Sequence, residues 1–179
     1  MNIIQTWNKA VSVMFFPKRE WKVIEVSETT GNTLGYLVIF SILIGLTRFI
    51  RLFFWEGRLQ AGFETGIQTI AIVLIGTLLV ALLTNIYAPN FESKSTFSKA
   101  LRLITFSLTP VYFGLAIVTL IGFYLYFTLV FAIFSLVLLY IGLPIMLETT
   151  DKQRWSFMGL ITLTAALLIV IAWLLLRYV

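Results

Sequence analysis

The chain has 179 residues, of which 60% are hydrophobic and 12% charged, and its net charge is +5. Charge-free stretches recur along its whole length, which excludes a soluble domain built around one core. The absence of Cys and His excludes disulfides, thiol chemistry, zinc sites and histidine proton relays. A basic balance would suggest nucleic acid in a soluble protein, but here Lys and Arg lie between apolar runs, where anionic headgroups are the nearer partner, so no nucleic acid is expected.

Residues 1–32 are too often interrupted by Lys9, Lys18, Arg19 and Glu20 to cross a membrane or to form a cleavable signal. Their aromatic residues among lysines suit a helix lying in the headgroup layer, with Ile3, Ile4, Trp7 and Val11 at helical spacing on its lipid side. Pro17 then starts a second short helix, because proline is accepted in a first turn and holds Phe16 extended.

A helix needs about 20 apolar residues to span the hydrocarbon layer, and no backbone polar group can be left unpaired there. Residues 33–55, 65–88 and 156–178 meet this requirement as single spans. Between Leu103 and Leu147 there is no charge, and one helix of that length would reach about 67 Å, more than twice the layer's thickness. The segment must turn back, and Gly122 is the best break, giving spans 100–121 and 123–147. The predicted fold is an all-α integral membrane protein: five transmembrane helices preceded by short amphipathic interfacial helices. With the N-terminus inside, the cytoplasmic loops hold Lys9, Lys18, Arg19, Lys22, Lys94, Lys99, Arg102, Lys152 and Arg154. Only Arg48, Arg51, Arg58 and Arg177 then fall outside, which predicts N-in, C-out topology.

Arg48 and Arg51 end the first span, about 22 Å and 27 Å from its start. They can snorkel to the outer interface, where Trp55 offers a ring on the same face and Glu56 and Glu64 offer counter-charges. Arg48, Arg51 and Trp55 are therefore candidates for contact with an anionic lipid or solute, with simple anchoring the plainer role. In the third span Pro110 frees the carbonyl of Phe106, so a kink is expected, with Ser107 or Thr109 able to cap it and Thr109 able to meet Ser135 across the hairpin. In the fourth span Pro144 repeats the device and Gly142 allows close approach. Gly62 and Gly66 form a weak small-xxx-small dimer signal. Asn85 and Tyr87 before Pro89 mark an interfacial helix end. No nucleotide, nucleophile or metalloprotease motif is present, and the single aspartate, Asp151, lies in a loop, so neither enzyme activity nor a cofactor is expected.

The stretches "FFPKREW", "FSKALRLITFSLTPVYFGLAIV" and "VLLYIGLPIMLETTDKQRW" resemble the Yip (Ypt-interacting protein) domain family, in the form its bacterial members take. The resemblance runs from about Phe15 to the end and rests above all on Ala100, Leu101, Arg102, Pro110, Tyr140, Gly142, Leu143 and Pro144. It implies a five-helix fold with a cytoplasmic N-terminus, in a bacterial cytoplasmic membrane. Eukaryotic relatives bind prenylated small GTPases, but their long N-terminal region and Asp-Leu-Tyr-Gly-Pro motif are missing here, so GTPase binding is not carried over. The expected role is a non-enzymatic scaffold for membrane organisation or trafficking-like processes, with lipids, other membrane proteins or a second copy as partners. The competing expectation is a small transporter or channel for an ion or anionic solute, lined by Arg48, Ser107, Thr109 and Asn85.

Overall fold

The computed structural model describes residues 2–121 and 124–178 and shows eight α-helices among them, with no strand. Two short helices come first, α1 (Ile3–Phe15) and α2 (Pro17–Ser27), followed by α3 (Thr30–Glu56) and α4 (Leu59–Tyr87). A 3-10 turn, Ala88–Phe91, ends α4, as Pro89 requires. The pair α5 (Phe97–Ser107) and α6 (Thr109–Ile121) precedes α7 (Tyr124–Met146) and α8 (Asp151–Tyr178). Segments Thr30–Glu56, Leu59–Phe91, Thr128–Met146 and Asp151–Ala172 are each long and apolar enough to cross a membrane; the bent α5–α6 pair makes a fifth if taken as one span. The turn expected at Gly122 lies outside the described residues.

Local chemistry sets the boundaries. Asn2 and Gln5 close a reciprocal capping box at the start of α1, and Pro17 opens α2. Thr29 caps α3, and Gly57, at φ 64°, ends it in the left-handed conformation that glycine adopts without steric cost. α4 begins at Leu59, ahead of the span predicted from hydropathy at residue 65, because the helix continues past the apolar run into its polar approach. Pro110 bends the third segment as expected, but the break falls at Leu108, with α5 and α6 inclined by 42°. Proline has no N–H for the Phe106 carbonyl, and its ring crowds the preceding turn.

The most extensive helix pairing is α3 with α4, and glycine makes it possible. A Cβ on Gly45 would stand 2.7 Å from the Gly66 carbonyl and 2.5 Å from Ile70 Cγ1. Gly62 likewise sits against the Phe49 carbonyl of α3. The small-xxx-small pair is thus used inside the chain, which corrects its expected role in dimerisation. Around the bend, Tyr36, Phe40, Phe106, Tyr112 and Phe113 stack in one aromatic cluster, with neighbouring ring centres 4.8–5.6 Å apart. The Thr109 hydroxyl is fully buried there and pairs with Tyr36 Oη at 2.8 Å, and Thr77 pairs with Tyr112 Oη at 3.1 Å. Thr109 therefore neither caps the freed carbonyl nor meets Ser135. Ser107 and Ser135 are buried with no hydrogen-bond partner among the described residues.

Candidate functional site

The end of the bundle that carries α1 and α2 holds most of the polar contacts between elements. α1 has three faces. Thr6, Ala10 and Val13 are buried against the rest of the chain. Ile3, Ile4 and Trp7 are 74%, 72% and 53% exposed, although Trp7 also meets the Phe113 ring edge-on at 5.1 Å. The third face carries Gln5, Asn8, Lys9 and Ser12, at helical spacing, and lines an open cleft of ≈ 460 Å³ with Glu20, Glu28 and Asn32.

Lys9 Nζ lies 2.9 Å from Glu20 Oε1 and 2.9 Å from Glu28 Oε1, so one ammonium joins α1 to both ends of α2. Burial alone would lower the Lys9 pKa, but its hydrogen bonds to Glu20 and Glu28 and their charges outweigh that effect and raise it above 10.5. Glu28 is 8% exposed, and its Oε2 has no hydrogen-bond partner among the described residues. Next to this group, Arg102 donates to the Glu25 carbonyl and to Ser98 Oγ, whose hydroxyl also pairs with Thr30. Sequence inspection misses the Lys9 group because its charges sit in a basic, amphipathic segment and look like a solvated face. The available signal was Glu20 and Glu28, two of the three glutamates set among Lys9, Lys18, Arg19 and Lys22 of that segment.

The same end is laced to the α7–α8 loop. Ser93 and Thr149 share a buried hydrogen bond of 2.8 Å, and Lys94 N donates to the Leu147 carbonyl. Lys94 and Lys99 both reach Glu148, whose positive φ of 54° turns the chain there. The hydrogen bond from Lys94, with its charge, holds the Glu148 carboxyl below its ordinary value. Arg154 pairs with Asp151 and lies over the Tyr140 ring, which packs against Trp155.

The residues singled out from sequence fall in three places. Gly142 lies beneath Trp21: a Cβ there would come within 2.8 Å of the indole and 2.6 Å of Leu103 Cδ1. The close approach expected at Gly142 thus admits both Trp21 of α2 and Leu103 of α5, and Pro144 sits in the last turn of α7 just beyond it. Ser107, Thr109 and Pro110 belong to the bend. Arg48, Arg51 and Trp55 lie at the far end of α3. Arg51 donates to the Thr119 carbonyl of α6 at 3.4 Å and lies 4.0 Å from Glu56, which also meets Arg58. Trp55 is 66% exposed, and the ring contact expected with these arginines is absent among the described residues, where Arg154 over Tyr140 is the cation–π pair. Glu64, the other expected counter-charge, accepts a hydrogen bond from Gln60.

Helices of this length with apolar outer faces, closed on buried aromatic and glycine contacts, define a polytopic all-α membrane protein. The Yip1 domain pattern matches residues 11–174, and the chain belongs to that family. No curated protein and no solved structure matches it.

Proposed function

We propose that the protein is a non-enzymatic membrane-organising or trafficking-like scaffold that acts through helix packing and lipid contacts. The three-faced α1 carries this proposal. One of its faces is packed on the bundle, and the adjacent one is apolar and more than half exposed. A helix held in this way beside a membrane bundle lays its apolar face in the headgroup layer of one leaflet, each large side chain contributing about 1.5–3 kcal/mol on leaving water. Lys94, Lys99, Arg102 and Arg154 gather at the end of the bundle that carries α1 and α2, which supports a cytoplasmic N-terminus and an outer C-terminus. Arg48, Arg51 and Trp55 then anchor the opposite boundary, where lipid phosphates are within reach. Partners are lipids and neighbouring membrane proteins, a second copy included.

Reconstitution tests this function. The full chain is expected to shift proteoliposomes to smaller diameters, and the triple variant Ile3→Ser, Ile4→Ser, Trp7→Ser to lose most of that shift while keeping its helix content. Saturable flux of an anionic solute, undiminished in the triple variant and accompanied by no change in vesicle size, would instead support a transporter.

A further inference from the structure

We infer that the outward face of α2, with the corner between α1 and α2, docks on anionic phospholipid headgroups in the leaflet that α1 enters. This deepens the scaffold proposal and rests on it, because α1 must lie in the leaflet for α2 to reach the headgroups. Trp21 and Ile24 bury one side of α2 against the bundle. Turned away from that side, Lys18, Arg19 and Lys22 are exposed and form no ion pair among the described residues. Lys18 and Lys22 lie four residues apart and share a face, which Arg19 and Val26 extend at three and four residues from Lys22. The acids nearby leave this charge standing. Lys9 holds Glu20 and Glu28, at 2.9 Å each. Glu25 falls at the edge of the buried side, beyond Lys18, and even when it is counted +3 against −1 leaves +2. The Arg102 guanidinium, donating to the Glu25 carbonyl, adds a further cation beside it.

Apolar side chains on the same surface decide what kind of anion it fits. Phe15, Phe16 and Val26 are 70%, 65% and 86% exposed. Phe15 continues the α1 stripe of Ile4, Trp7 and Val11 at helical spacing, so the stripe that enters lipid ends where the cations of α2 begin. A soluble anion or an acidic protein segment answers the charge but leaves the stripe in water. A leaflet presents phosphates directly above acyl chains and answers both. In a zwitterionic headgroup the ammonium cancels the phosphate, whereas an anionic phospholipid keeps its negative charge. Each cation beside an anionic surface favours contact by roughly fivefold, so three together hold the face on such a leaflet for most of the time.

The full chain carrying Val26→Cys with a nitroxide label, in bilayer nanodiscs of phosphatidylcholine alone or mixed with phosphatidylglycerol of the same acyl chains, tests the docking. Access of an uncharged water-soluble paramagnetic quencher to the label is expected to fall severalfold when the anionic lipid is added. Salt at about 1 M, where the screening length is about 3 Å, is expected to restore it. With Lys18→Gln, Arg19→Gln and Lys22→Gln combined, the two membranes are expected to give the same access. These three side chains are exposed, so the fold does not depend on them. Equal access in the two membranes for the unaltered face, the result an acidic protein partner would give, overturns the proposal. So does a difference that survives the triple substitution or high salt. A label at Ile3→Cys, read in phosphatidylcholine alone, separates this from the scaffold reading. Position 3 open to water would fail both, whereas position 3 in lipid with position 26 indifferent to lipid charge would fail only the docking of α2.

Discussion

Replacing Trp21 by alanine is expected to cost about 3–5 kcal/mol and to free α1 and α2 from the bundle. Trp21 is 1% exposed and rests where Gly142 leaves no side chain, beside Leu103. Truncation opens a cavity that helices α5 and α7 cannot close, since each is held by its own contacts in the bend and the loop lacing. The indole N–H has no hydrogen-bond partner among the described residues, so the ring contributes by packing alone. Trp21→Phe should therefore recover most of the loss. Gly142→Ala pushes the same contact apart from the other side and is expected to cost about 1–3 kcal/mol, less once Trp21 has been removed. Unfolding by denaturing detergent in mixed micelles gives the energies, and tryptic cleavage after Lys18, Arg19 or Lys22 reports the release. Trp21→Ala with unchanged stability and unchanged cleavage would contradict the docking of α2 on α7.

Gly45→Leu is expected to be at least as damaging, costing about 3 kcal/mol or more. The obstacle to a side chain at Gly45 that cannot move aside is the Gly66 carbonyl, 2.7 Å from the new Cβ, since a backbone atom cannot rotate away as the Ile70 side chain could. The two helices would have to separate along their shared stripe. Gly35 and Gly76 lie in the same helices with open space around them. Alanine at either is expected to be neutral or slightly stabilising, because helical glycine costs roughly 0.5–1 kcal/mol relative to alanine. Equal effects at Gly45 and Gly76, measured by detergent unfolding, would show that close approach of α3 and α4 is not what holds the pair.

The membrane class and the helical content follow from charge-free lengths, and those are local properties that any stretch of sequence displays. The bend near Pro110 was legible for the same reason: a missing N–H is written in the residue itself. Its exact place, Leu108, was not, because the aromatic cluster around Tyr36 and Phe106 also decides how the chain turns. Gly142 announced a close approach but not its partner, since Trp21 is distant in sequence and joins it only through tertiary packing. Gly62 and Gly66 showed a small-residue stripe, yet nothing in a stripe says whether another copy or the neighbouring helix fills it. The Lys9 group was the least legible. Its three charges become a buried cluster only because Pro17 folds α1 back against α2, bringing Lys9 to both Glu20 and Glu28.

A chain without cysteine allows single nitroxide labels at chosen positions, and the depth of those labels in a bilayer bears most directly on α1. Ile3→Cys and Ser12→Cys lie on opposite faces of α1. The label at position 3 is expected to collide with oxygen dissolved in the acyl region and to be shielded from a water-soluble paramagnetic quencher, while the label at position 12 shows the reverse. Equal access of both labels to the aqueous quencher would mean that α1 stands clear of the lipid, and the proposed contact between scaffold and leaflet would fail with it.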